Sequence, residues 1–349
     1  MRIALIGAGA ISLHHLNACK VIDDITVAAI CDMNADLLQA RAKEFGIPKV
    51  YTDYHDVLID PTIDAVSILT PTFTHAQIVR EALTAGKHVL CEKPPALTYE
   101  DALLNEKAAK ESGKVLMYAF VCRFKEDTKF FKQLIDKGQI GNIYYTEASR
   151  VMNCFNIGSW FRDKSKSGGG CLMDAALHEL DLLLYCMNYP KVKSVKGFSS
   201  MANNDLPERI QGFQNGYTAA NNTSTPRTIE SFATGYITFE DGRNLIIKAG
   251  YIANTPTPGR RLELIGDKGG IAVEKDTIKL LTINESNYFV ESSPVITKET
   301  DPFEMEIRHF LVCCRGEEAC IVTPGQGSQL VRIINAIYES AETGKEICF

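Results

Sequence analysis

Residues 168–181 carry side chains well suited to proton transfer. After three glycines at 168–170, Asp174, His178 and Asp181 recur at i, i+4 and i+7, so a regular helix at about 100° per residue places them on one face while Glu179 points elsewhere. Imidazole, with an unperturbed pKa of about 6.5, exchanges protons near neutral pH, and a carboxylate one turn away can orient it. The segment is therefore a candidate site for chemistry, with Asp174 able to orient His178.

Two other interpretations fit the same residues. The remaining faces of this segment are apolar, so the helix is expected to be buried, and a buried histidine can simply bond to its helix neighbour. Aspartate and histidine at i and i+4 can also share a metal ion, but few further ligands stand nearby, so no metal is predicted. Asp181 fits a structural role in the helix as well as a chemical one.

A glycine-rich turn, Gly7-Ala8-Gly9-Ala10-Ile11-Ser12, follows the first apolar run and precedes helical spacing at 11–21. Gly7 permits a tight turn, and Gly9 lets the backbone approach a pyrophosphate. The helix that begins near Ala10 and Ile11 offers free N–H groups to the same anion. Ser12 replaces the third glycine of this fingerprint and is small enough for close packing. The turn therefore predicts dinucleotide binding.

Asp32 closes the second apolar run, at 26–31. Its carboxylate can accept hydrogen bonds from both adenosine ribose hydroxyls and would repel a 2′-phosphate. Met33 and Asn34 offer that phosphate no positive charge. The sequence therefore favours NAD, with NADP as the alternative.

Two loops follow later strands of the same pattern, Thr70-Pro71-Thr72-Phe73-Thr74-His75 and Cys91-Glu92-Lys93-Pro94-Pro95. Open α/β sheets bind ligands at the carboxyl ends of their strands, where both loops lie. A lysine there, close to a nicotinamide, can stabilise a developing alkoxide. Taken alone each loop is also an ordinary turn, with Thr74 a fair helix cap. The candidate cofactor contacts are Thr70, Pro71, Thr72, His75, Glu92 and Lys93.

The elements that position these residues fall into two groups. Strands at 2–6, 26–31, 64–69, 87–91 and 114–120 alternate with helices at 11–21, 34–45, 74–85 and 98–112, which predicts a doubly wound parallel sheet of the Rossmann type. Beyond Arg123 long strands dominate the pattern. The predicted strands are 142–151, 192–201, 229–239, 244–253 and 260–266, with turns at 240–243 and 267–270. The predicted helices are 127–136, the 168–181 segment, 302–314 and 325–343. This predicts an α+β domain with an open, mostly antiparallel sheet, and domains at 1–122 and 123–349. A polar stretch at 203–227 is expected to be a long mobile loop.

Composition narrows the class of partner. The 349 residues are 45% hydrophobic with a net charge of −6 and no run of Lys or Arg, which favours a globular protein with a small-molecule ligand over nucleic acid or an anionic membrane. Eleven cysteines without a Cys-x-x-Cys pair indicate neither a disulfide framework nor a zinc ribbon, and predict a reducing cytoplasm. The apolar start mimics a signal peptide but is broken by glycines, and no later segment is long enough to span a bilayer.

One sheet face of the second domain needs cover, which predicts a homodimer or homotetramer.

The whole chain resembles the glucose–fructose oxidoreductase, inositol dehydrogenase and rhizopine-catabolism oxidoreductases. No single motif carries the likeness. It rests jointly on Gly-Ala-Gly-Ala-Ile at 7–11, Asp32, Thr70-Pro71 with His75, Gly-Lys-His-Val-Leu-Cys-Glu-Lys-Pro at 86–94, the 168–181 segment, Leu-Ile-Gly-Asp-Lys-Gly at 264–269 and Ile-Tyr-Glu-Ser-Ala-Glu-Thr-Gly-Lys at 337–345.

The resemblance implies a role for several residues. An N-terminal Rossmann domain would hold NAD or NADP, and the C-terminal sheet domain would supply the substrate pocket and the oligomer face. Lys93 would contact the substrate and the nicotinamide ribose, His178 would be the general acid/base, and Asp174 would orient it or bind substrate. Arg123, at the predicted domain junction, would line the site. Trp160 and Arg162 look like substrate-pocket residues, with a surface turn as the alternative, and the peptide before Pro94 is expected to be cis.

Together these features predict an NAD-dependent dehydrogenase acting on a secondary alcohol of a sugar, polyol or cyclitol. The hydroxyl proton would pass to His178 while Lys93 stabilises the forming alkoxide. Two alternatives come from other classes: an NAD-dependent glycosidase that uses a transient redox step, as some relatives do, and a non-catalytic dinucleotide-binding regulator.

Overall fold

The computed structural model describes residues 1–153, 155–205, 214–215, 225–274 and 277–349. The chain divides into two compact units, Met1–Phe124 with Thr300–Val331 and Lys125–Glu299 with Arg332–Phe349. The predicted domain bounds, 1–122 and 123–349, stay a prediction. They differ from the compact units mainly at Thr300–Val331, a late segment that packs with the N-terminal unit.

The first unit is built on a six-stranded parallel sheet of order β3-β2-β1-β4-β5-β6. Its strands are β1 Arg2–Ile6, β2 Thr26–Cys31, β3 Lys49–Tyr51, β4 Ala65–Ile68, β5 His88–Glu92 and β6 Leu116–Ala119. Its helices are α1 Ala10–Lys20, α2 Ala35–Phe45, α3 Tyr54–Ile59, α4 Thr72–Thr84 and α5 Tyr99–Ser112, joined later in the chain by α9 Pro302–Cys314. The strand order reverses between β1 and β4, which is where such sheets bind dinucleotides. The predicted doubly wound parallel sheet is confirmed.

Local sequence accounts for most of these bounds. Asn34 and Thr98 cap α2 and α5 through their side chains, and Gly46 and Gly113 end the same helices in the left-handed region. The prediction for α4 was wrong by two residues. This helix begins at Thr72, and the Thr74 hydroxyl donates to the Pro71 carbonyl at 2.8 Å instead of capping the helix. The sequence pattern missed β3 and α3 because three and six residues are too few to show a period.

The second unit carries a nine-stranded sheet of order β16-β15-β14-β13-β7-β12-β11-β9-β17, in which only β7 and β12 pair in parallel. These strands are β7 Ile143–Val151, β9 Val192–Ser200, β11 Phe232–Phe239, β12 Asn244–Gly250, β13 Gly259–Gly266, β14 Gly269–Glu274, β15 Thr277–Ile283, β16 Phe289–Ser292 and β17 Ile347–Cys348. A separate parallel pair joins β8 Phe155–Asn156 and β10 Gln214–Asn215. The remaining helices are α6 Glu126–Asp136, α7 Lys164–Ser167 and α8 Leu177–Cys186, with α10 Pro324–Thr343, whose residues up to Val331 belong to the first unit. The predicted open, mostly antiparallel sheet is confirmed.

One face of the nine-stranded sheet is apolar and buried. On β11, Ala233 and Ile237 are fully buried while Tyr236, on the other face, is 45% exposed. This alternation has the period of two that places successive side chains on opposite faces of a strand. The buried face is therefore the core of the second unit. Most of the predicted loop at 203–227 lies outside the described residues.

Within the described part of the chain, no helix combines the length and apolar character needed to cross a bilayer.

A buried carboxylate ties the short edge strand β3 to the first unit. Asp60 accepts hydrogen bonds from the Lys49 ammonium at 2.5 Å, from the Tyr51 hydroxyl at 2.9 Å and from Thr62. The Lys49 ammonium, aided by Thr62 and Tyr51, holds the pKa of Asp60 well below its usual range. A lowered pKa in the folded state adds stability above the unfolded pKa of about 3.9, and that stability is lost as the pH falls below it.

Asp60→Asn is therefore expected to destabilise the protein at pH 7 and to shrink the loss of stability between pH 7 and pH 3. Urea unfolding at the two pH values measures both effects. The exposed Asp23 is the matched control, because Asp23→Asn removes a carboxylate that has no such partners. Equal pH dependence in the two variants would contradict the role given to Asp60.

Candidate functional site

The glycine turn after β1 has the geometry of an anion-binding loop. Gly7 has a φ of +111°, and a Cβ there would lie 2.7 Å from the Leu69 carbonyl oxygen, so only glycine fits. Gly9 has ordinary dihedrals, and a Cβ on it would meet no atom within 4 Å. Gly9 is also the N-cap of α1, so the first N–H groups of that helix open onto the same free space. Ser12 is fully buried in the position predicted for close packing, with its hydroxyl donating to the Gly9 carbonyl.

Asp32 stands at the end of β2 and faces this turn. Its Oδ2 accepts the Ala8 N–H at 2.7 Å, and its Oδ1 accepts the Asn34 N–H at 2.8 Å. The carboxylate is half-buried, while Met33 beside it is 93% exposed. The glycine turn and the acidic residue predicted from sequence are thus brought together at the ends of adjacent strands.

His75 joins the two other predicted cofactor loops. Its Nε2 lies 2.8 Å from the Thr70 carbonyl oxygen and its Nδ1 lies 2.8 Å from the Pro94 carbonyl oxygen. Burial lowers the pKa of His75, and the two carbonyls act in the opposite direction. The Lys93–Pro94 peptide is cis, as the resemblance implies. His75 is buried, so it holds the loops after β4 and β5 together from beneath.

Glu92 belongs to a buried polar chain under the same edge. His15 Nε2 lies 3.1 Å from Glu92 Oε1, and His15 Nδ1 lies 3.2 Å from the Ser67 hydroxyl. Glu92 Oε2 accepts the backbone N–H of Lys93 at 3.2 Å, while the Lys93 residue itself is half-exposed. Sequence reasoning did not find Glu306, a fully buried carboxyl on α9 whose pKa is raised well above its usual value by burial and then by Glu92.

Arg123 is almost fully buried inside the first unit. Its Nη1 donates to the Ile321 carbonyl and, at 2.8 Å, to Gln326 Oε1, while its guanidinium lies 5.4 Å from the centre of the Phe120 ring. These contacts connect the turn after β6 to Ile321, between α9 and α10, and to Gln326 in the first turn of α10. The role of Arg123 as a cofactor contact stays a prediction.

In the second unit, a buried carboxylate anchors the start of the 168–181 segment. Glu230 accepts the Gly170 N–H at 2.7 Å, the Leu172 N–H at 3.1 Å and the Tyr338 hydroxyl at 2.9 Å. Burial raises the pKa of Glu230, and these donors oppose that shift. A Cβ on Gly170 would lie 2.2 Å from the Glu230 carbonyl oxygen, and one on Gly169 would lie 2.1 Å from the Tyr338 hydroxyl. The glycines are therefore required by close packing.

The regular helix predicted after the glycines was wrong in its first turn. Leu172–Ala176 is a π-helical turn, and α8 begins only at Leu177. A π-turn holds more residues than an α-turn, so the 100° spacing does not continue from Asp174 to His178. Such turns are frequent at functional sites.

The acidic residues of the predicted stripe have separate partners. The Tyr251 hydroxyl, which is fully buried, donates to Asp174 Oδ2, and the Tyr189 hydroxyl donates to Asp181 Oδ1 at 2.5 Å. Glu179 points away from the stripe, as predicted. Its Oε1 accepts hydrogen bonds from Arg150 at 3.0 Å and Arg260 at 3.1 Å, on neighbouring sheet strands.

His178 differs from its neighbours in burial. Asp174, Glu179 and Asp181 are all buried, whereas His178 is half-exposed. Between 171 and 184 only Ala175 shares that exposure, and it lies three residues before His178 on the helix. His178 is therefore the titratable side chain between 171 and 184 that is not fully buried, although its Nδ1 atom is itself buried.

Trp160 and Arg162 occupy the short 3₁₀ turn Ser159–Arg162. The Trp160 ring stacks on Phe161 with centroids 3.8 Å apart, and Arg162 is buried. The Arg162 carbonyl accepts the Thr228 N–H at 2.9 Å, which ties this turn to the segment before β11 that contains Glu230. Trp160 and Arg162 therefore do not form a turn that lies wholly at the surface.

Sequence reasoning missed Glu230 and Tyr251. Glu230 lies two residues before β11 and Tyr251 directly follows β12, and nothing in their local pattern separates them from other polar residues beside strands. Only the fold brings them to Gly170 and Asp174, about sixty and eighty residues away in sequence.

The strand order and the glycine turn define a dinucleotide-binding protein with a separate α+β unit. A family model described as "Oxidoreductase family, NAD-binding Rossmann fold" matches residues 1–120. A second, "Oxidoreductase family, C-terminal alpha/beta domain", matches residues 132–349. The chain belongs to the Gfo/Idh/MocA family of oxidoreductases, as the sequence motifs predicted.

Similar proteins span nearly the whole chain. It is 29% identical over 358 residues to D-glucoside 3-dehydrogenase of Escherichia coli (strain K12), covering 99% of this chain and 97% of the relative. It is 27% identical over 330 residues to scyllo-inositol 2-dehydrogenase (NAD(+)) of Bacillus subtilis (strain 168), covering 93% and 89%. The solved structure of levoglucosan dehydrogenase with NADH and levoglucosan has a TM-score of 0.84 at 23% identity, covering 100% and 99%. That structural likeness concerns the fold.

Proposed function

We propose that this chain is an NAD-dependent dehydrogenase that oxidises a secondary hydroxyl of a sugar, polyol or cyclitol. The observation that carries the proposal is the arrangement at 174–178, where Asp174 is buried and held by Tyr251 while His178 is half-exposed. The relatives that cover almost the whole chain are named for reactions on a glucoside and on scyllo-inositol, which supports the substrate class.

The glycine turn fits NAD. The open space at Gly9, next to the N-terminus of α1, is the kind of cradle that a pyrophosphate occupies. Asp32 is proposed to accept hydrogen bonds from the adenosine ribose hydroxyls. When bound, NAD supplies the acceptor for the hydride of the substrate. The proposed contacts are Gly7, Gly9, Ala10, Ile11, Asp32, Thr70, Pro71, Thr72, His75, Glu92, Lys93 and Arg123.

Three residues are proposed to handle the substrate proton and charge. His178 takes the hydroxyl proton as a general base, and Asp174 stabilises the resulting imidazolium. The Lys93 ammonium stabilises the negative charge that develops on the hydroxyl oxygen. Trp160 and Arg162 are proposed to line the substrate pocket.

An absorbance screen for NADH formation tests this function. Inositols, aldoses, glucosides and sugar acids are each supplied with NAD and, in parallel, with NADP. We expect NADH formation with at least one polyol or sugar. Release of an aglycone from glucosides without net NADH would indicate a glycosidase instead, and tight NAD binding without turnover of any compound would indicate a regulator.

The preference for NAD is proposed to depend on Asp32. Asp32→Ser combined with Met33→Arg removes the carboxylate that repels a 2′-phosphate and adds a cation beside it, so the ratio of kcat/KM for NAD to that for NADP should fall at least about tenfold. Asp36→Ser is the control, because it removes an exposed carboxylate from the first turn of α2 and leaves the glycine turn unchanged. An unchanged ratio in the double variant, with an unchanged Tm, would contradict this role.

A homodimer or homotetramer is proposed from the outer face of the nine-stranded sheet. Phe198, Tyr236, Leu281 and Ile283 lie on that face and are between 38% and 55% exposed. Apolar side chains shared by several strands of one face favour association. Light scattering gives the mass that checks this.

The proposed location is the reducing cytoplasm, supported by the many cysteines outside any Cys-x-x-Cys pair.

A further inference from the structure

Three side chains of the first unit form a thiol–imidazole cluster that the proposed reaction does not use. His309 and Cys313 lie one turn apart on α9, and Cys320 lies in the segment that follows this helix. One ligand atom from each of the three lies within 4.8 Å of the other two. We propose that His309, Cys313 and Cys320, called here the α9 thiol site, bind a zinc ion.

The spacing of the donor atoms is close to that of a tetrahedral zinc site. Zinc bonds of about 2.0–2.1 Å to nitrogen and about 2.3 Å to sulfur place a nitrogen and a sulfur ligand about 3.5 Å apart, and two sulfurs about 3.8 Å apart. His309 Nε2 lies 3.3 Å from Cys313 Sγ. The widest separation in the cluster, up to 4.8 Å, requires a shift of about 1 Å. Cys320 can make that shift because it is half-exposed in a turn, where its thiol donates to the Val322 carbonyl at 3.1 Å.

The second nitrogen of His309 has the partner that zinc-binding histidines usually have. Its Nδ1 lies 3.4 Å from Glu318 Oε2, on the side of the ring away from Cys313. Metal-bound histidines commonly donate this other N–H to a carboxylate, which orients the ring and raises its basicity. The Ile321 N–H donates to Nε2 at 3.1 Å. This contact requires Nε2 to be the unprotonated nitrogen of the ring, and a metal binds the same tautomer. Zinc at Nε2 would replace the hydrogen bond from Ile321.

Zinc binding at the α9 thiol site balances in atoms and in charge. On zinc binding both S–H bonds break, two S–Zn bonds and one N–Zn bond form, and two protons leave to solvent. Two thiolates balance the charge of one Zn²⁺, and no oxidant or reductant is needed.

Cobalt titration of the full-length protein tests the site. The reduced, chelator-treated protein is titrated with Co²⁺, which is then displaced by Zn²⁺, while absorbance, bound metal and released protons are measured. We expect one ion per chain and a thiolate-to-cobalt charge-transfer band. Cys320→Ser and His309→Asn should each weaken binding by more than about a hundredfold, and Glu318→Gln by about tenfold.

Two cysteines serve as controls. Cys314 follows Cys313 in sequence but is not among the three clustered residues, and Cys348 is an exposed thiol of the second unit. Cys314→Ser and Cys348→Ser should bind the ion as the native protein does. Three results would overturn the proposal: failure to retain any ion, equal affinity in Cys320→Ser, or peptide mapping that finds Cys313 and Cys320 joined as a disulfide. NAD binding reports the folding of each variant, and bound metal is measured without any dehydrogenase assay.

Discussion

Replacing His178 with alanine is expected to lower kcat by at least about a hundredfold and to leave the dissociation constant for NAD unchanged. His178 lies in the second unit, whereas every proposed cofactor contact lies in the first. Removal of the imidazole deletes the proposed proton acceptor but none of those contacts. Steady-state NADH formation gives kcat, and fluorescence titration with NADH gives the binding constant.

The pH profile separates a proton acceptor from a merely structural histidine. An imidazole accepts a proton only in its neutral form, so alcohol oxidation by the native protein should slow toward acidic pH. The variant should lose this acidic limb. His55→Ala is the control, because His55 is an exposed imidazole on α3 paired with Asp53. Native turnover in His178→Ala would remove the assignment.

Replacing Gly9 with alanine is expected to weaken NAD binding at least about tenfold without lowering the Tm. Gly9 has φ −63°, and its Cβ would meet no protein atom within 4 Å, so alanine fits the folded chain. The added methyl group would instead occupy the space proposed for the pyrophosphate. Calorimetric titration and thermal unfolding measure the two effects separately.

Gly7→Ala provides the contrast at the same turn. Its φ of +111° and the approach of a Cβ to 2.7 Å from the Leu69 carbonyl oxygen strain the folded state by about 1–3 kcal/mol. This variant should lose stability as well as NAD binding. If Gly9→Ala bound NAD as the native protein does, the turn would not hold the pyrophosphate. If both variants lowered the Tm equally, the free space at Gly9 would be the wrong explanation.

The α/β sheet could be predicted from sequence because its strands are continuous apolar runs bounded by turn residues. Arg2–Ile6 and Thr26–Cys31 are observed as predicted, and the helix ends follow caps such as Asn34 and Thr98. The same rules failed where an element is short, as at Lys49–Tyr51, or where a turn departs from the α period, as at Leu172–Ala176. Local pattern rules require several residues of one period to be informative.

The functional segment shows the same division. The sequence made Asp174 and His178 candidates by residue type and spacing, and Lys93 by its place after a strand, and the family resemblance gave them their predicted roles. It could not show that Tyr251 donates to Asp174 or that Glu230 anchors Gly170, because those pairs are joined by sheet register and not by local spacing. The tyrosine and the glutamate are therefore candidate positioning residues that only the fold reveals.

The sequence by itself determined the family, the parallel, doubly wound character of the first sheet and the residue types available for a dinucleotide and for proton transfer. These depend on hydrophobic period and on short motifs, which are local properties of the chain. The tertiary structure decided that His178 is half-exposed while its acidic neighbours are buried, and that His309 and Cys320 meet at the end of α9. Burial and the meeting of distant side chains depend on packing between elements far apart in sequence, which no local pattern encodes.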